Sequence, residues 1–82
     1  MIAERSAEEA VKLIEQAGGR IKQLRVERGL TLSDLSAKTG LPISTLSKIE
    51  NGRTALGFDK LTKLAAGLGT EVSDLLQPPG PR

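Results

Sequence analysis

The 82-residue sequence contains neither cysteine nor histidine. Without cysteine there are no disulfides, no thiolate metal sites and no cysteine nucleophiles, and a reducing cytoplasm is the expected setting. Without histidine, most remaining routes to zinc binding and to a general base tuned near neutral pH are also lost. Carboxylates, lysines and hydroxyls are left, in no catalytic or metal-ligating pattern, so no enzyme, metal or other cofactor is expected. Tryptophan and tyrosine are missing too, and Phe58 is the single aromatic residue. That removes the stacking platforms on which single-stranded nucleic acid is held, but leaves duplex DNA open as a partner. No apolar run approaches the roughly 20 residues needed to cross a bilayer, and the acidic start (Glu4, Glu8, Glu9) is unlike a secretion signal, so no membrane partner is expected.

A chain of this size makes one domain, with a core that must be compact and continuous. The net charge is only +2, but it is unevenly spread. Residues 1–19 hold two basic and four acidic residues, residues 20–60 hold eight basic and four acidic, and the remainder is balanced. A basic middle suits a polyanion, although solvated helix faces are often equally basic.

The apolar pattern is helical throughout, with no strand-like alternation, which predicts an all-α fold. Ser6 and Glu9 read as a capping box opening a helix over about 6–17. Gly18-Gly19 should break it, since two glycines cost about 2 kcal/mol of helix propensity relative to alanine, with a bend as the alternative to a stop. A second helix over about 19–28 places Ile21 and Leu24 inward and ends at Gly29. Thr31 and Asp34 form another capping box, with Leu30 and Leu35 as a hydrophobic staple, for a helix over about 32–39 ended by Gly40. Pro42 suits the first turn of the next helix, about 42–51, which turns Leu46 and Ile49 to the core and stops at Asn51-Gly52. After a loop, Leu61, Leu64, Ala65 and Leu68 mark a helix ending at Gly69, and Thr70 begins a short last one with Val72, Leu75 and Leu76. The Pro-rich residues 77–82 read as a tail or linker.

Two short helices joined by a glycine turn meet the steric demands of a helix-turn-helix: a small residue where the helices touch, a glycine in the turn, and apolar residues pinning the second helix. Counting from Leu32, the sequence places Leu35 fourth, Ser36 fifth, Gly40 ninth, Leu41 tenth, Leu46 fifteenth and Ile49 eighteenth. With Leu46 and Ile49 inward, Ile43, Ser44, Ser47 and Lys48 lie on the opposite side, where a major groove would meet them. Lys48 suits guanine O6 or N7, Ser44 and Ser47 are adaptable donors or acceptors, and Ile43 suits a thymine methyl.

Over about residues 19–76 the sequence closely resembles the phage-repressor and Cro-type (XRE-like) helix-turn-helix family. The carrying segments are Ile21–Arg25, Leu30–Ser36, Gly40–Gly52 and Leu64–Gly69. The run from Leu41 to Gly52, followed by Phe58-Asp59-Lys60-Leu61, is similar to regulators that join this domain to a C-terminal cupin sensor domain. The resemblance implies a compact five-helix repressor-like domain at 19–76, preceded by an additional N-terminal helix within residues 1–18. It implies a sequence-specific regulator of transcription that binds double-stranded DNA, as a homodimer on two half-sites. It points to phosphate contacts at Thr31, Leu32, Asn51, Arg53 and Thr54, with Arg20, Lys22 and Lys60 as weaker candidates, and to an internal ion pair between Arg25 and Glu50. Many relatives carry glutamine where this chain has Leu32 and a polar residue where it has Ile43, so contacts there are lost or become apolar. The rival from another class is an antitoxin-type module that neutralises a protein partner and binds DNA only for autoregulation.

Overall fold

A computed structural model describes residues 16–54 and 56–77. Among them are five helices and no strand, in keeping with the expected all-α class. Helix α1 is described over residues 16–27. It is followed by α2 (Leu32–Thr39), α3 (Ile43–Glu50), α4 (Phe58–Leu68) and α5 (Val72–Leu75). No described helix is long and apolar enough to cross a membrane.

One expectation is overturned: Gly18-Gly19 does not break the chain, because α1 runs through both glycines. Ala17, fully buried, is part of the core, so the boundary expected between residues 18 and 19 falls inside α1. The physical reason is a close approach of helices. A Cβ built on Gly18 would collide with the carbonyl oxygen of Ile49, at the C-terminal end of α3. Glycine there lets α1 lie directly on that end, and packing outweighs the local propensity cost. The remainder of the separate helix expected over 6–17 lies outside the described residues, as does the tail at 78–82.

Local signals account for the other elements. Helix α1 ends where Gly29 takes the left-handed conformation at φ +67°, and the Leu30 amide donates back to the Arg25 carbonyl at 3.0 Å. Helix α2 opens on a reciprocal cap. The Asp34 amide donates to the Thr31 hydroxyl at 3.0 Å, and the Thr31 amide donates to the Asp34 carboxylate at 2.9 Å. It closes on Gly40, at φ +78°. Pro42 stands one place outside α3 as its N-cap, and α4 begins at Phe58, with Gly57 as its N-cap.

One cluster forms the core. Ala17, Ile21 and Leu24 of α1 meet Leu35, Leu46 and Ile49 of α2 and α3, closed from the other side by Leu61, Leu64, Ala65 and Leu68 of α4 and by Leu75 of α5. Helix α2 packs on both α3 and α4, and α5 packs on α4. The α2–α4 contact is tight at Gly67, where a Cβ would come within 2.7 Å of Thr39 Cγ2. Arg20 ties α1 to α5 by donating from Nε to the Asp74 carbonyl at 3.0 Å.

Candidate nucleic-acid interface

The turn between α2 and α3, residues 40–42, is held by side chains of α2. The Ser36 hydroxyl donates to the Leu41 carbonyl at 2.6 Å. The Thr39 hydroxyl donates to the Leu35 carbonyl at 2.8 Å and accepts from the Leu41 amide at 3.2 Å. The sequence shows Ser36 as a small residue fitting a crowded crossing. Its hydroxyl also fixes the path of the chain from one helix to the next, and Leu41 is buried beneath that turn.

Two anchors fix α3 at the other end. Leu46 and Ile49, one helical turn apart, are 0% and 2% exposed. At the C-terminus, Glu50 and Arg25 form a two-pronged pair, with Arg25 Nε donating to Oε2 at 2.7 Å and Nη2 to Oε1 at 3.1 Å. Arg25 Nη1 also donates to the Leu30 carbonyl at 2.8 Å. One guanidinium therefore joins α1, the residue leading into α2, and the end of α3, in the planar geometry that suits arginine to carboxylates. The hydrogen bond to Glu50 raises the Arg25 pKa further above its ordinary value, outweighing desolvation.

These anchors leave one face of α3 outward. Ile43, Ser47 and Asn51 fall in one row at helical i, i+4 spacing, and Ser44 and Lys48 in a second beside it. Ile43, Ser44, Lys48 and Asn51 are exposed and Ser47 is half-buried. The Asn51 side-chain amide donates to the Ser47 carbonyl at 2.8 Å, which holds the far end of the first row in place. The N-terminal end is open by contrast. Pro42, itself exposed, makes no side-chain cap, and no acidic residue stands in the first turn of α3. The first amide groups of such a helix lack intrahelical acceptors and carry a partial positive charge.

The other residues named from the sequence lie on α1, at the start of α2, after α3 and on α4. Thr31 is committed to the α2 cap through both its hydroxyl and its amide, while Leu32 is half-buried against the core. Arg53 follows α3 with its side chain exposed and its amide donating to the Lys48 carbonyl at 2.8 Å, and Thr54 beside it is half-buried. Lys22 is exposed and Lys60 half-buried. Arg20 is engaged by the Asp74 carbonyl and the Gln23 side chain. Sequence reasoning placed Pro42 at the start of α3 but overlooked that the first turn is left open. The signal was present in the stretch Leu41 to Thr45, which has no acid and no side chain placed to cap. Among the described residues there is no cluster of acidic residues able to hold a metal ion.

Two eight-residue helices crossed over a three-residue turn, with the second anchored along its inner face and open on its outer one, define a helix-turn-helix domain. The chain belongs to the helix-turn-helix family HTH_3, which matches residues 21–75. It is 40% identical over 58 residues to the HTH-type transcriptional regulator DdrOP3 of Deinococcus deserti, covering 71% of this chain and 45% of that protein. It is 45% identical over 60 residues to the HTH-type transcriptional regulator SinR of Bacillus subtilis, covering 72% of this chain and 54% of that protein. The chain thus spans about half the length of these two curated relatives. Among solved structures, the restriction-modification controller protein C.AhdI from Aeromonas hydrophila superposes with a TM-score of 0.73 at 30% identity, covering 78% of this chain and 96% of that one.

Proposed function

We propose that this chain is a sequence-specific double-stranded DNA-binding regulator of transcription that reads the major groove with the outer face of α3. The observation that carries this reading is the state of α3 itself. In a helix-turn-helix domain, its inner face and C-terminus are anchored while Ile43, Ser44 and Lys48 stand exposed beside an uncapped N-terminus. Lys48, Ser44 and Ser47 supply hydrogen-bonding groups for base edges, and Ile43 an apolar one. Leu32, through its amide in the first turn of α2, and Asn51, Arg53 and Thr54 serve the phosphates, and Thr31, whose amide donates to and whose hydroxyl oxygen accepts from Asp34, serves them through its hydroxyl hydrogen. One such domain reads only a few base pairs, so the operator-bound form is a homodimer on two half-sites about one helical turn apart. It works in the cytoplasm by occupying DNA, with no chemistry of its own and no cofactor. A C-terminal sensor domain or a protein partner would supply regulation from outside these residues.

The test is selection of bound duplexes from a random library, then fluorescence anisotropy of the winner and a scrambled duplex at two salt concentrations. A palindromic winner bound far more tightly than the scramble is the expected result. Equal, weak and salt-sensitive binding to both would overturn base reading and favour a protein partner instead.

A further inference from the structure

Ile43 is the first residue of α3 and remains 47% exposed, next to the exposed Pro42. The rest of the outer face carries hydroxyls, an amide and an ammonium group, all able to exchange water for a base edge. Ile43 has nothing to donate or accept, and covering it gains free energy only against another apolar group. In the major groove that group is the methyl on pyrimidine C5, since all other distinguishing features there are donors and acceptors. The β-branched side chain holds few rotamers, so little freedom is lost when it is pressed against a methyl.

We propose that Ile43 makes this chain a reader of the pyrimidine C5-methyl group at one base pair of each half-site, favouring thymine or 5-methylcytosine over uracil or unmethylated cytosine. Binding then depends on the methylation state of a cytosine wherever one occupies that position. This rests on the reading of α3 as the major-groove helix, and the experiment separates the two.

Each thymine of the selected duplex is replaced in turn by deoxyuridine, which removes the methyl and alters no hydrogen bond, and binding by the full chain is followed by anisotropy. One position in each half-site should weaken binding about fourfold, the effect of one buried methyl group, with the other positions near unity. At that position a 5-methylcytosine·guanine pair should bind several-fold more tightly than cytosine·guanine, which distinguishes the two sources of the methyl. Ile43→Ser, at an exposed site and checked for unchanged thermal unfolding, should bind thymine and uracil duplexes equally. A selected operator with no uracil-sensitive position, or an Ile43→Ser protein that keeps the sensitivity, overturns the methyl reading while base reading by α3 stands. If no preferred duplex emerges, both fall.

Discussion

Helices α2 and α3 have the same length and sit on either side of one turn, yet they are stabilised in opposite ways. Helix α2 is closed at both ends by its own neighbours, with the Thr31–Asp34 cap at one and Gly40 in the left-handed conformation at the other. Helix α3 has no side-chain cap at its N-terminus. It is fixed from elsewhere, by Leu46 and Ile49 in the core, by Arg25 on Glu50 and by the contact of Gly18 with the Ile49 carbonyl. A self-contained helix works as scaffold. A helix held from behind and at its far end can leave its outer face and first turn for a ligand. Variants that strike the tertiary anchors of α3 should therefore cost more than variants that strike the local caps of α2, and changes on the outer face of α3 should cost almost nothing in stability.

The largest loss is expected from Arg25→Ala. Glu50, whose side chain is 4% exposed, would be left without its partner, and breaking such a buried pair from one side costs about 3–5 kcal/mol. Urea denaturation measures this. Arg25→Lys should recover only part of it, because an ammonium cannot bridge both carboxylate oxygens and the Leu30 carbonyl in one plane. A loss below about 1 kcal/mol would place the pair with ordinary surface ion pairs and remove it as an anchor of α3.

Next comes Gly18→Ala. In an open helix this substitution stabilises by up to about 1 kcal/mol. Here the added methyl meets a backbone carbonyl that cannot swing aside, so a destabilisation of about 1–3 kcal/mol is expected, as for overpacked cores. A more stable variant would show that α1 does not press on the end of α3.

That residue also marks the limit of what the sequence reveals. The ends of α2, the glycine in the turn, the inward phase of Leu46 and Ile49 and the outward phase of Ile43, Ser44 and Lys48 were legible, because caps and helical periodicity act over a few residues. The role of Gly18 was not, because glycine looks the same whether it ends a helix or admits a neighbouring one, and the neighbour lies about thirty residues away in sequence. The third hydrogen bond of Arg25, to the Leu30 carbonyl, and the turn-fixing role of the Ser36 hydroxyl are likewise products of tertiary placement. The Arg25–Glu50 pair was legible only through family resemblance, and periodicity alone would have offered Arg25 as a surface cation.

Removing the α2 cap should cost less than either anchor. Thr31→Ala is expected to lose about 0.5–2 kcal/mol, the usual range for an N-cap. The same cap gives a pH signature. The Thr31 amide and hydroxyl, with Lys38 contributing, hold the Asp34 carboxyl below the ordinary aspartate range. A carboxyl lowered in the folded state adds stability that is fully present above its unfolded pKa, about 4, and is lost as pH falls through the folded value. In Asp34→Asn, stability should fall less steeply with acidification over that window than in the parent, with Asp74, lowered by the Thr70 hydroxyl and the Glu71 amide, left to supply part of the remaining slope. Parallel pH profiles for the two proteins would show that the cap carries no linked proton.

Lys48→Ala should change stability least and function most selectively. The side chain is exposed on the outer face of α3 and takes part in none of the contacts that anchor the helix. The melting temperature should therefore stay within about a degree or two, the usual consequence of a surface change of a few tenths of a kcal/mol. On DNA two roles for Lys48 give different results. As a donor to guanine O6 or N7, its loss removes about 1–3 kcal/mol of discrimination at one base pair, so operator and scrambled duplex move closer in affinity. As a phosphate contact, its loss weakens both duplexes about equally and flattens the salt dependence by about one ion. Anisotropy on both duplexes at two salt concentrations separates these outcomes. Converging affinities would make Lys48 a base reader, whereas a uniform loss with a shallower salt slope would move it to the backbone and leave Ile43, Ser44 and Ser47 to carry the sequence preference.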